Sequence, residues 1–171
     1  PLPRGSVQAS AILNLGTLPS PSFGMRVDGH LMMTPRWSLT VGVMGLPPLA
    51  FEGYFYSMFA GGLGACAHTR PSFSLSGCLR AYGGSLSNFG GAQVLGGDPG
   101  SNLWLALGAE GSFEIELFDP VHLRLGVEGI VTLVDREFVD TTRPEPGMTS
   151  TLLHSEATIA LQTSAGILFR F

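Results

Sequence analysis

Charge is scarce in this chain, and lysine is missing altogether. Asp, Glu and Arg make up 13% of the 171 residues, all nine basic residues are arginine, and the net charge is −4. A soluble domain carries about 25% charged residues, so roughly half of the usual solvated surface is absent. No basic run or aromatic-basic stripe offers a footprint for nucleic acid, which removes that class of partner. The lack of lysine reads as codon bias in a GC-rich genome. Also missing is an apolar run fit for a helical membrane span. The charge-free apolar stretches, such as 37–51 and 53–67, are short and broken by Gly, Pro or Ser, whereas a spanning helix needs about 20 mostly apolar residues. The chain opens on PLPRG, with neither Met nor an apolar leader. That is expected of a processed or excised product, and it says nothing against export. Two cysteines occur, Cys66 and Cys78. They fit one disulfide in an oxidising compartment or two free thiols.

What is present is apolar: 44% hydrophobic residues and a mean hydropathy of +0.30. These residues recur in steps of two. In the closing segment TIALQTSAGILFRF, Phe171, Phe169, Ile167, Ala165, Thr163, Leu161 and Ile159 share one face, opposite Arg170, Gly166, Ser164, Gln162 and Thr158. VHLRLGVEGIVTLV and LWLALGAEGSFEIEL split in the same way. This is the strand period, not the 3.6 of a helix. Eight segments follow it, at 6–16, 22–33, 37–46, 54–67, 73–84, 103–117, 121–134 and 157–171. The charged residues within them, Arg26, Asp28, Arg80, Glu110, Glu114, Glu116, Arg124, Glu128 and Arg170, all fall on the polar register. A helical reading would scatter them around the whole circumference.

The joins alternate in length. TPR, HTRPS and FDP are short, while TLPSPS, PPLAFEG, LSNFGGAQVLGGDPGS and DREFVDTTRPEPGMTSTLLHSE are longer. The pattern predicts a single domain over 1–171: an all-β, eight-stranded antiparallel up-and-down transmembrane β-barrel. Short turns would lie at the periplasmic end with both termini, and long loops at the other.

A soluble lipocalin-like carrier, which buries the apolar face and wets the polar one, is the main rival. Two features oppose it. The polar register is mostly Gly, Ser, Ala and Thr with few charges, unlike a soluble exterior. Aromatic residues also mark the strand ends of the apolar register, with Trp37, Phe73, Phe169 and Phe171 at the short-turn end and Phe23 and Phe55 at the long-loop end. Those are the places of two interfacial girdles. On these residues the chain resembles, over essentially its whole length, the small eight-stranded outer-membrane barrels such as the transmembrane domain of outer-membrane protein A. The strand ending in Ala165, Ile167, Phe169 and Phe171 resembles that family's terminal assembly signal. The resemblance implies contact with outer-membrane lipids and with the barrel-assembly machinery, in the outer membrane of a Gram-negative bacterium.

Pairing centred on Asp119 sets Glu114 opposite Arg124, Glu116 opposite His122 and Glu110 opposite Glu128. Two facing carboxylates in a narrow lumen need a cation between them, and Arg26 or Arg80 is placed to supply it. The network reads as a plug, or alternatively as a relay or gate. Cys66 and Cys78 share the inward register and reach one another if their hairpin centres near Ser72 rather than on Arg70–Pro71. His154, Ser155 and Glu156 suggest a hydrolase triad, but neighbours in a strand point to opposite faces. His30 reads as lumenal and His68 as a turn residue. GGAQVLGGDPG follows no phosphate-cradling pattern. Asp135, Glu137, Asp140 and Glu145, among Arg136 and Arg143, read as solvated loop charges rather than a cation site. No cofactor, metal or catalytic role is expected. The expected role is a closed barrel that presents long external loops to an extracellular partner; a narrow channel or lumenal ligand binder is the alternative, and an outer-membrane lipid-modifying enzyme the third reading.

Overall fold

The computed structural model describes residues 5–18, 20–51, 54–69, 74–90, 100–133, 137–140, 151–155 and 158–171. The strands are β1 (Gly5–Leu15), β2 (Ser22–Thr34), β3 (Trp37–Phe51), β4 (Tyr54–His68), β5 (Ser74–Gly90), β6 (Gly100–Phe118), β7 (Val121–Thr132), β8 (Glu137–Asp140), β9 (Thr151–Ser155) and β10 (Ile159–Arg170). Eight of them close into one barrel in the order β1-β10-β7-β6-β5-β4-β3-β2, and β8 pairs with β9 in a separate two-stranded sheet. Each strand pair is antiparallel, and β1 against β10 completes the ring. No described helix is long and apolar enough to cross a membrane. Barrel strands of 11 to 19 residues exceed the roughly 9–11 that a tilted strand needs to cross hydrocarbon.

Side chains alternate strictly enough to separate two environments. Val127 and Ile167 are 53% and 47% exposed on the outer wall, whereas Glu114 and Arg124 are 6% and 1% exposed inside. This orientation is the inverse of a soluble barrel, and it disposes of the lipocalin-like alternative. Trp37, Phe169 and Phe171 stand exposed at the short-turn end, joined there by Phe118, while Phe23 and Phe55 stand exposed at the other. Phe73 lies outside the described residues.

The short turns are built by local hydrogen bonds. Thr34 Oγ1 accepts from the amides of Arg36 and Trp37, at 3.3 and 3.1 Å, which holds the β2–β3 turn. Thr69 Oγ1 accepts from the Leu75 amide at 3.1 Å between β4 and β5. Asp119 and Pro120 alone form the β6–β7 turn. At the other end Gly16, with φ of 106°, turns the chain after β1, a left-handed conformation that a side chain would disfavour. The Gly5 amide donates to the Phe171 carbonyl at 3.1 Å and the Phe171 amide donates back at 3.0 Å, so the terminal phenylalanine is tied into the seam.

Strand bounds differ most from the sequence pattern in β3, β5, β6, β7 and β10. β3 continues through Pro47 and Pro48 to Phe51, where a loop was expected. The two prolines lack amide hydrogens, and the pairing with β4 shifts by one residue between Leu46 and Leu49, a bulge that absorbs them. The β3–β4 connection is therefore tight, not long. β5 runs on to Gly90 and β6 starts at Gly100, because the alternation inverts there: Leu86 points inward, between Ser85 and Ser87 on the outside. β7 ends at Thr132 and β10 begins at Ile159. The last long join holds the β8–β9 hairpin. Most of the GGAQVLGGDPG loop, together with Asp135, Arg136, Arg143, Glu145 and Glu156, lies outside the described residues.

Cys66 stands directly opposite Cys78 in the β4–β5 pair, and the two form a disulfide enclosing a segment of sequence separation 12. A cross-link of this loop length restricts the unfolded chain by about 2–4 kcal/mol. The double variant Cys66→Ala, Cys78→Ala is expected to lose that amount in urea unfolding from detergent micelles. It should keep the compact, heat-sensitive gel migration of a closed barrel when the sample is not boiled.

Candidate functional site: the lumenal charge network

The lumen is stratified along the barrel axis, as strand direction and register dictate. Nearest the long-loop end most inward positions are apolar, with Ile12, Met44, Leu46, Tyr56, Met58, Leu86, Trp104 and Ile130 forming one buried cluster beside the buried Asn14, Ser22 and Thr132. Charged side chains follow toward the short-turn end. Burying charge is costly unless each ion is paired and hydrogen-bonded, and here each side chain of this layer finds an opposite partner.

Arg26, on β2, is the hub. Its Nη2 lies 2.6 Å from Glu110 Oε2, its Nη1 2.8 Å from Glu128 Oε2, and its Nε 2.8 Å from Asp28 Oδ2. Glu110 and Glu128 are cross-strand neighbours on β6 and β7, and one guanidinium from the opposite wall bridges both. Arg80, on β5, adds an ion pair to Glu110 and approaches Glu128 at 3.6 Å. Arg124 donates to Glu110 Oε1 at 2.9 Å and lies 3.8 Å from Glu114, which pairs in turn with Arg170. Four arginines and four carboxylates thus form one continuous network without net charge. Arg170, one-third exposed, is its outlet at the short-turn end.

Neutral groups complete it. Tyr82 donates its hydroxyl to Glu128 Oε1 at 2.6 Å, and Gln162 Nε2 lies 3.5 Å from Oε2 of the same carboxylate. Arg124 Nε donates to Ser112 at 3.0 Å, and its Nη2 lies 3.6 Å from Cys78 Sγ. Space for the Tyr82 ring comes from two inward glycines: a Cβ on Gly62 would stand 2.7 Å from one ring edge, and one on Gly108 2.9 Å from the other.

Of the nine charges predicted to be lumenal, eight join this network. Glu116 does not. It is exposed, because a register shift between Glu116 and Phe118 relaxes the alternation beside the turn. The pairings of Glu114 with Arg124, Glu116 with His122 and Glu110 with Glu128 are those of the observed register, and both Arg26 and Arg80 reach the acidic pair. His30 is lumenal beside Arg124. His68 closes β4 with its Nε2 2.7 Å from Ser38 Oγ. Ala165, Ile167, Phe169 and Phe171 all lie on the outer wall. In β9 His154 stands opposite Phe138 and Ser155 opposite Glu137. Sequence reasoning missed Tyr82, Ser112, Gln162 and the apolar stratum. Tyr82 was findable, two residues after Arg80 on the same register.

No protein-family model matches the chain, and no curated protein matches it by sequence. Solved structures do match in fold. Neisserial surface protein A aligns with a TM-score of 0.69 at 13% identity, covering 98% of this chain and 97% of that one. A major outer membrane protein from Thermus thermophilus aligns at 0.63 and 13% identity, covering all of both chains. Ail, the attachment invasion locus protein of Yersinia pestis, aligns at 0.56 and 11% identity, covering 98% and 96%. The fold is that of the small eight-stranded outer-membrane barrels.

Removing Arg26 takes one cationic partner from three buried carboxylates, Asp28, Glu110 and Glu128, and leaves the network with a net negative charge. Arg26→Met is expected to cost about 3–5 kcal/mol in urea unfolding. Adding Glu128→Gln to it should recover part of that loss, so the double-mutant cycle gives a coupling well above the scatter of independent sites. Gly108→Val, whose Cβ would meet the Glu128 carboxylate before the Tyr82 ring and so disturb both, is expected to cost about 1–3 kcal/mol in the same assay.

Proposed function

We propose that the chain is an integral outer-membrane barrel with a plugged lumen, serving as a non-catalytic anchor that presents its long-loop end at the cell surface. The observation that carries this reading is the union of an apolar outer wall, bounded by aromatic residues, with an interior filled by a charge-neutral network beneath packed apolar side chains. Small barrels are filled by side chains rather than left open, and ions meet no continuous aqueous path through Met44, Met58 and Trp104. The outer wall meets outer-membrane lipid, and the terminal strand carries the residues by which the assembly machinery would recognise it. Two fold neighbours support surface display by their names: a neisserial surface protein and an attachment invasion protein. The β8–β9 hairpin gives this chain a structured element in its longest connection, suited to contact with an extracellular partner. A hydrolytic role is not proposed, since His154, Ser155 and Glu156 are consecutive in the sequence, a spacing that does not suit a nucleophile, base and orienter.

Reconstituted in planar bilayers, the wild-type chain is expected to give no stable conductance steps; sustained ion-selective steps would replace this reading with the narrow channel. An epitope inserted in the β8–β9 connection should be stained by antibody on intact cells. Staining only after the cells are permeabilised would reverse the assigned orientation.

A further inference from the structure

Between the charged layer and the short-turn end, four side chains carry polar atoms with no hydrogen-bond partner among the described residues. They are Gln8 Oε1, His30 Nδ1, Thr40 Oγ1, and both Nε and Nη2 of Arg80. Each of these residues is more than nine-tenths buried. Register gathers them into one sector of the lumen. Gln8 stands opposite Asp28, and Ser6 opposite His30, across β1 and β2. His30 stands opposite Thr40 across β2 and β3. Thr40 stands opposite Gly64, and Gly64 opposite Arg80. Gly64 has no side chain to intervene, and Arg80 leans over it, its Cγ only 2.8 Å from where a Cβ would be. The guanidinium thus reaches back across β4, and its Nη2 stops 3.9 Å from Asp28 Oδ2. That gap is too long for a direct hydrogen bond and is of the kind a water bridges.

The protons can be assigned. Arg124 Nη1 lies 3.2 Å from His30 Nε2. A guanidinium only donates, so Nε2 accepts and the ring hydrogen sits on Nδ1. The sector therefore offers donors from Arg80, His30 and Thr40 and an acceptor from Gln8, with the Asp28 carboxylate at its edge. Buried polar groups of this kind almost always have partners. The surrounding network is already neutral, and an added anion would sit beside Asp28. A neutral ligand that both donates and accepts fits the set.

We propose that this sector is a binding site for a cluster of ordered water molecules, in exchange with solvent only at the short-turn end. The route there is polar, past Ser6, Ser38, His68 and the part-exposed Arg170, whereas toward the long loops the lumen is filled by the apolar cluster around Trp104, and the polar line of Gln162, Asn14 and Thr17 along that wall is itself fully buried. The lumen is then a one-sided hydrated pocket. This inference rests on side-chain geometry alone and stands whether or not the barrel displays its loops to a partner.

A crystal structure of the full chain, grown in sodium bromide at a resolution that shows individual waters, tests it directly. Expected are solvent oxygens within hydrogen-bond distance of Arg80 Nε and Nη2, His30 Nδ1 and Thr40 Oγ1, with no anomalous bromide peak among them. A bromide peak at Arg80 overturns the assignment to water in favour of an anion site. Direct pairing of these side chains with one another, leaving no solvent peak, overturns it altogether. In water-exchange NMR of the micelle-embedded chain, the His30 Nδ1 hydrogen should exchange with bulk water and the Trp104 indole hydrogen should not. The reverse order overturns one-sided access. Both measurements use the wild-type chain, so neither depends on a variant that folds.

Discussion

The bond between Arg26 and the paired carboxylates of Glu110 and Glu128 is the constraint on which the interior turns. The two acids are forced together by the β6–β7 register, and no shift of one residue relieves them without also turning the outer leucines and valines inward. Arg80 and Arg124 reach Glu110 from β5 and β7, the strands that flank β6, and β2 supplies Arg26 from across the lumen to bridge the two acids. The consequence is architectural as well as electrostatic. Because the hub sits on one wall and its partners on the opposite one, the network ties together strands that share no backbone hydrogen bonds. Its value lies in fixing one interior arrangement; a buried ion network of this kind is often no more stabilising than well-packed apolar residues.

Much of the fold was legible because the outer wall obeys a single rule. Where outward residues are large and apolar and inward ones small or charged, as in β7 and β10, the alternation announces the strand, and the turn at Asp119–Pro120 fixes the register of Glu110 against Glu128. Legibility failed where that contrast reversed. At the long-loop end the inward positions become Met44, Leu46, Tyr56, Leu86 and Trp104, while Ser85 and Ser87 take the outside, so period-two hydrophobicity weakens although the strand continues. Pro47 and Pro48 misled for a different reason. Proline forbids a ladder hydrogen bond, but a bulge allows the strand to pass it.

The lumenal charges were readable as a set but not as a circuit. Register says which residues face each other on neighbouring strands, and it does not say how far a guanidinium reaches across the interior. That reach depends on glycines. Gly62, Gly64 and Gly108 leave room for Tyr82 and Arg80 to lie over the wall, and in a sequence such glycines look like generic small residues. Glu116 shows the opposite limit, since its place on the alternating pattern is undone by a shift of register within the last turn of the hairpin.

The mutual hydrogen bonds of Gly5 and Phe171 carry a kinetic meaning. Apart from the β1–β10 seam and the β7–β10 pair, every joint of the barrel links strands adjacent in the chain, and such hairpins can form in local steps. The seam pairs Ser6 with Arg170 and Leu15 with Leu161, bringing together residues separated by nearly the whole chain, and contacts of that range carry the largest loop-closure entropy. Until that seam zips, β1 and β10 are raw edges with unspent backbone donors. Closure of the cylinder is therefore the step with the largest entropic cost, and any catalyst of insertion would have most to gain by holding those two edges.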